Sequence, residues 1–118
     1  MNIFRKIKAF LVLYKAVEQA DAAYRQHGRR FFVMPIADGK LMVMDRYDLR
    51  RLKVKHYLSK DTNVHTLLSD SFYFTPMRNG LEEIHPQDRK RREIAYYKWY
   101  DLKCKLRRIE RRKSRKQR

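Results

Sequence analysis

The chain has 118 residues, of which 30 are Lys or Arg and 13 are Asp or Glu, so its formal net charge is +17. This length fits one small domain and leaves little room for a second hydrophobic core. The apolar fraction of 43% argues against a disordered chain, and no apolar stretch approaches the roughly 18 residues of a membrane span. The charge predicts a polyanionic partner, with nucleic acid ahead of an anionic membrane surface.

The positive charge is concentrated in the last third of the chain. Residues 1–30 carry a net charge of +5, and residues 31–85 carry only +1. Residues 86–118 contain fifteen Lys and Arg against four Asp and Glu, a net charge of +11. The distribution indicates a basic helix and tail attached to an ordinary small core.

Residues 3–27 are predicted to form a helix that stops at Gly28. Its apolar residues follow a 4-3-4 spacing that puts them on one stripe, which we expect to cover the sheet. With the neighbouring lysines, the same helix would also suit an anionic membrane surface. We prefer the core interpretation because so small a domain needs this burial. The stripe consists of Ile3, Ile7, Phe10, Tyr14, Val17 and Tyr24.

Residues 30–45 are predicted to form a β-hairpin, since two apolar runs flank Asp38-Gly39, a strong turn signal. Pro35 lacks an amide proton, which favours an edge strand or a bulge. Residues 71–75 are expected to add a third strand. The apolar edge of the hairpin also offers a route to self-association by strand addition.

Asp45 is predicted to cap a middle helix that starts at Arg46 and ends near Leu58, with Asp48 in its first turn. We expect it to bury Leu49 and Leu52, with His56 as a further candidate. Residues 64–68 are expected to add one or two helical turns.

The last helix is predicted over residues 86–112, a length of about 40 Å at 1.5 Å per residue. Residues 1–106 are expected to form a single domain, and residues 107–118 the basic helix end and a frayed tail. Together the elements predict an α+β fold: a small three-stranded antiparallel sheet packed against two long helices and one shorter helix. The expected apolar stripe of the last helix has a 4-3-4-3 spacing through Ala95, Trp99, Leu102, Leu106 and Ile109.

The basic last helix is the best candidate for a nucleic-acid interface, because Lys and Arg neutralise phosphates and release condensed counterions. Interleaved tyrosines favour RNA over DNA if their rings stack on unpaired bases; the alternative is that these rings pack in the core. The middle helix supplies a second basic patch. The candidate nucleic-acid-binding residues are Arg91, Arg92, Tyr96, Lys98, Tyr100, Lys103, Arg107, Arg108, Arg111, Arg112 and Lys113, with Arg50 and Arg51 of the middle helix.

Nothing in the sequence marks a catalytic or metal site, since it lacks a Walker loop, GxGxxG, GxSxG and HExxH. The single Cys104 excludes an intramolecular disulfide. Lys15 limits the first apolar run to six residues, shorter than a signal peptide requires. We therefore expect a cytoplasmic protein that is not an enzyme and needs no cofactor or metal.

Three short runs, residues 39–47, 55–57 and 72–76, resemble small basic proteins of gut bacteria and their phages. The resemblance covers about 40 residues, and no activity or site residue is attached to it. It implies a bacterial cytoplasm or a phage particle as the location.

The leading hypothesis is a nucleic-acid-binding protein that contacts phosphates through its basic C-terminal helix and tail. The alternative is a structural or assembly protein, of phage or mobile-element type, that docks on an acidic protein. Membrane-surface association through the N-terminal helix is the second alternative and the less favoured one.

Overall fold

The computed structural model describes residues 2–36, 39–55 and 63–116, and it confirms the α+β fold. The predicted turn residues 37–38 and the predicted helix end from residue 56 lie outside the described residues. A 3-10 turn, Arg78–Gly80, precedes the last helix. The helices and strands are α1 (Ile3–His27), β1 (Phe32–Pro35), β2 (Leu41–Met44), α2 (Arg46–Val54), α3 (Val64–Asp70), β3 (Tyr73–Phe74) and α4 (Pro86–Lys116).

The sheet has the order β2-β1-β3, and both pairings are antiparallel. Phe32 sits opposite Met44 on one side and Phe74 on the other, so β1 is the central strand. β1 is thus not an edge strand, but among the described residues Pro35 pairs only with Leu41 of β2, so it lies on a locally open edge of the sheet. Pro35 is tolerated because pairing with β3 ends at Val33. Ile36 donates its amide to the β2 side, so the amide that Pro35 lacks would face the other side, beyond the end of β3.

The predicted helix signals are present at α1 and α2. Gly28 ends α1 in the left-handed conformation, with φ 67°, and its N–H donates to the Tyr24 carbonyl. Asp45 caps α2 in a reciprocal capping box with Asp48. The Asp45 carboxylate also accepts a hydrogen bond from Arg29 Nε at 2.7 Å. The buried Asp45 carboxylate therefore contacts both the first turn of α2 and Arg29, which follows the Gly28 cap of α1.

Asp45 gives the fold a predictable acid sensitivity. Burial raises its pKa, but hydrogen bonds from the Asp48 N–H and Arg29 outweigh burial and leave the pKa below its ordinary value. Ionised Asp45 therefore stabilises the folded state above about pH 4, and this contribution disappears as pH falls through the lowered value. Asp45→Asn keeps a capping oxygen but removes the charge. We expect the difference in unfolding free energy between wild type and Asp45→Asn to shrink below about pH 4 in urea titrations; a constant difference would show that the ion pair contributes nothing.

The buried face of α1 is not the predicted stripe. Ala9, Leu13, Ala16 and Ala20 face the core, whereas Ile3, Ile7, Phe10 and Tyr14 point outward with at least half of each residue exposed. The alanines suit a helix whose backbone lies close to its neighbours. Only Val17 and Tyr24 of the predicted stripe pack against the core. The exposed Ile3, Ile7, Phe10 and Tyr14 provide the apolar surface that association with a membrane surface would require. Within the described residues, no helix is long and apolar enough to span a membrane.

The two long helices lie side by side, as predicted, and run antiparallel. Arg5 near the start of α1 forms an ion pair with Asp101 of α4 at 2.8 Å. The Tyr96 hydroxyl, further back along α4, donates to the Ala9 carbonyl at 2.7 Å. Residue numbers therefore rise along α1 as they fall along α4, and the last turns of α4 extend past the start of α1.

The predicted stripe of α4 is also wrong except at Trp99, which packs against the core. Tyr96 and Tyr100 are its buried residues, whereas Leu102, Leu106 and Ile109 are each more than 40% exposed. The helix ends at Lys116, four residues beyond the predicted end and within the segment expected to fray. The packed part of α4 lies against α1 and β3, and its last turns give the molecule a long dimension of 55 Å.

Candidate nucleic-acid interface

The first turns of α4 use their cations for structure. Asp88 accepts hydrogen bonds from Arg91 and Arg92. Burial raises the pKa of Asp88, but these two guanidinium groups outweigh it and hold the pKa below its ordinary value. Arg91 keeps most of its side chain in solvent. Arg92 is 11% exposed, donates to the Ser71 carbonyl and lies over the Phe74 ring. Its assignment as a phosphate contact was therefore wrong, because the group is already enclosed.

The predicted base-stacking tyrosines are core residues. Tyr96 is fully buried and Tyr100 is 6% exposed. The Tyr96 ring meets Phe72 edge to face, with 5.3 Å between ring centroids, and burial raises its pKa. A base has no access to either ring in the folded protein, so the stacking assignment of Tyr96 and Tyr100 is corrected. Tyr97, on the next position of the helix, is only partly buried.

The last ten described residues of α4, residues 107–116, form what we call the cationic segment. It contains seven Lys and Arg and a single acid, Glu110. Arg107 is partly buried and has an interaction of its own. The remaining cations are exposed and form no ion pair with a described residue: Arg108, Arg111, Arg112, Lys113, Arg115 and Lys116.

Four arginines of the cationic segment share one face. Arg108, Arg111, Arg112 and Arg115 are spaced i, i+3, i+4 and i+7, which places them within one side of an α-helix. Four guanidinium forks on one side of a helix form a row of phosphate-binding groups. Arg115 was absent from the sequence-based candidates because it was assigned to the frayed tail. The helical spacing alone would have included it.

The other candidates lie away from this row. Lys98 is exposed, and Lys103 is partly buried beside Gly39 of the hairpin turn. Arg50 is exposed on α2, and Arg51 forms an ion pair with Asp48. The α2 helix packs against β2, whereas α4 packs against α1 and β3. The two basic patches therefore lie on helices that pack against different strands.

The exposed apolar side chains Leu102, Leu106 and Ile109 run along another side of α4 from the arginine row. The chain therefore presents both charge and apolar surface at the projecting end of one helix.

Comparison with known protein families, curated proteins and solved structures found no match for this chain.

Proposed function

We propose that the protein binds nucleic acid through its backbone phosphates, with the cationic segment as the principal surface. The observation that carries this proposal is the row of four exposed arginines, each without an ion-pair partner among the described residues. Charged groups that are not neutralised by the protein's own acids are the ones available to replace counterions around phosphates. The proposal is a non-enzymatic binding role in the cytoplasm.

The mode of binding is backbone-directed and sequence-tolerant. Phosphate contacts fix position but carry no sequence information. The preference for RNA rested on tyrosine stacking and on the lack of a recognisable duplex-reading motif, and burial of Tyr96 and Tyr100 removes the first of these. We therefore propose that the cationic segment accepts any strand whose phosphates reach the arginine row, whether RNA or DNA.

The salt dependence of binding tests this function. Fluorescence anisotropy of a labelled duplex, measured between about 50 and 200 mM salt, gives log Kd against log salt. We expect a slope of magnitude roughly 4 to 8, corresponding to about five to nine neutralised phosphates. A slope near zero would contradict a phosphate-directed function.

The second candidate function is docking on an acidic amphipathic helix of a partner protein. The spacing of Leu102, Leu106 and Ile109 is that of a helix-pairing seam, and these residues are exposed. Lys98, Lys105 and Arg112 lie along one side of the seam, with Lys105 paired to Asp101. Lys98 and Arg112 therefore favour an acidic helix over a second copy of this basic one. Size-exclusion chromatography after nuclease treatment separates the two functions. A lysate complex that survives nuclease favours the acidic partner, and one that dissociates favours nucleic acid.

A further inference from the structure

An arginine-lined cleft lies where the end of α1, the starts of β1 and α2 and the 3-10 turn Arg78–Gly80 come together. Its volume is about 720 Å³, within the range of small-molecule sites. Four of its lining residues are arginines: Arg29, Arg30, Arg46 and Arg78. Within the described residues, no Asp or Glu lines it. Four cations around one concave surface create a focused positive potential.

Two of these arginines are fixed by the fold. Arg29 donates to buried Asp45 at 2.7 Å. Arg30 donates to the carbonyls of Thr75 and Glu82, at 2.9 and 2.6 Å, and its side chain is 14% exposed. They hold the floor of the cleft in place. The Asp45 carboxylate offsets the charge of Arg29, and the Glu82 carboxylate, 3.8 Å from Arg30, partly offsets that of Arg30.

The other two arginines are available to a ligand. Arg46 and Arg78 are exposed and form no ion pair with a described residue. Among the described residues, the Arg46 side chain donates to the hydroxyl of Tyr47, at 3.2 Å. The Tyr47 ring in turn lies 5.0 Å from the guanidinium carbon of Arg29 and 5.1 Å from that of Arg46. The ring thus orders the Arg46 guanidinium group beside the fixed Arg29 without neutralising Arg46.

Part of the remaining wall of the cleft is apolar, beside the polar side chains of His27 and Asn79. Phe32, Val64 and Met77 line it, and a thioether adapts readily to a flat apolar surface. A bare anion would fill only the arginine side of a volume this large. A ligand with a phosphate at one end and a planar ring at the other matches both the charge and the apolar wall.

We propose that this cleft binds a nucleotide unit, with its phosphate on Arg46 and Arg78 and its base against the apolar wall around Met77. The unit is either a free nucleotide or the phosphorylated end of a strand, which present the same chemistry. The inference does not rest on the function proposed for α4, because no α4 residue lines the cleft.

Isothermal titration calorimetry of the full-length chain tests the proposal with three probes: adenosine monophosphate, inorganic phosphate and a dinucleotide with or without a 5′-phosphate. We expect adenosine monophosphate or the 5′-phosphorylated dinucleotide to bind more tightly than inorganic phosphate. Binding of the first identifies a free nucleotide as the source, and binding of the dinucleotide alone identifies a strand end. Inorganic phosphate that binds as tightly as adenosine monophosphate and the 5′-phosphorylated dinucleotide would overturn the proposal. A titration in which no probe binds saturably would overturn it as well.

The double variant Arg46→Ala/Arg78→Ala should weaken nucleotide binding by about 100-fold, since each lost charge-assisted hydrogen bond contributes about tenfold or more. The matched control is Lys15→Ala/Arg25→Ala, which removes two exposed cations of α1 that do not line the cleft. An equal loss in the control would overturn the site. Neutralising the arginines of the cationic segment should leave nucleotide binding in the cleft intact. The nucleotide titration therefore tests the cleft, and the salt slope tests the cationic segment, independently of each other.

Discussion

Replacing Tyr96 with alanine is expected to lower the unfolding free energy by about 3 to 5 kcal/mol, the usual cost of removing a buried aromatic side chain. The ring is fully buried between α1, α4 and the start of β3. It contacts the rings of Phe72, Trp99 and Tyr100. Small domains have a total stability of about 5 to 15 kcal/mol, so this single change removes a large part of it. Urea unfolding followed by circular dichroism measures the loss.

The conservative variant Tyr96→Phe isolates the hydroxyl. It keeps the ring contacts and removes only the hydrogen bond to the Ala9 carbonyl, so we expect a loss of about 1 kcal/mol. A Tyr96→Ala protein that unfolds like wild type but binds nucleic acid more weakly would contradict the core assignment and restore the stacking role.

The second large effect concerns affinity. Replacing Arg108, Arg111, Arg112 and Arg115 with alanine removes the whole arginine row, four exposed cations of the cationic segment. Each phosphate contact on a single strand contributes about 0.7 to the salt slope, so four lost contacts weaken binding by about two orders of magnitude near physiological salt. Alanine favours helix, and these side chains pack against nothing in the core. Stability should therefore stay close to that of wild type.

The matched control removes the same charge elsewhere. Lys6, Lys8, Lys15 and Arg25 are exposed on α1 and form no ion pair with a described residue. Their replacement with alanine lowers the net charge of the protein equally. Because salt screens charges beyond about 10 Å, we expect the control to lose less than about tenfold in affinity. Equal losses in the two variants would mean that total charge, and not the cationic segment, determines binding.

The end of α1 and the start of α2 were predictable because their signals are local. Gly28 stops α1, and Asp45 with Asp48 starts α2, through hydrogen bonds between residues a few positions apart. The hairpin followed from Asp38-Gly39 between two apolar runs, although the turn residue Asp38 itself lies outside the described residues. Such contacts do not depend on the rest of the fold, so the sequence contains enough information to place them.

The buried helix faces were not predictable from hydrophobic spacing. On α1 the structure buries Ala9, Ala16 and Ala20 and exposes the larger Ile7 and Phe10. Which face packs depends on how closely the helix approaches its neighbours, which is a property of the whole fold. A ranking by residue hydrophobicity favours the bulky side chains and selects the opposite face.

The candidate interface was predictable only in its location. Charge counting identified α4, but it did not separate Arg92, enclosed by Ser71 and Phe74, from the exposed arginines near the helix end. That distinction needs ion-pair partners from other elements. The arginine-lined cleft was missed altogether, because Arg29, Arg46 and Arg78 come from three separate segments that only the fold brings together.

The most direct test of the phosphate-binding account is the salt slope of the four-residue cationic-segment variant beside that of wild type, measured on the same labelled single-stranded oligonucleotide. The account predicts a slope lower in magnitude by about 3, from four lost contacts of about 0.7 each. The α1 control should keep the wild-type slope. A variant whose slope equals that of wild type would contradict the assignment of the cationic segment as the nucleic-acid interface.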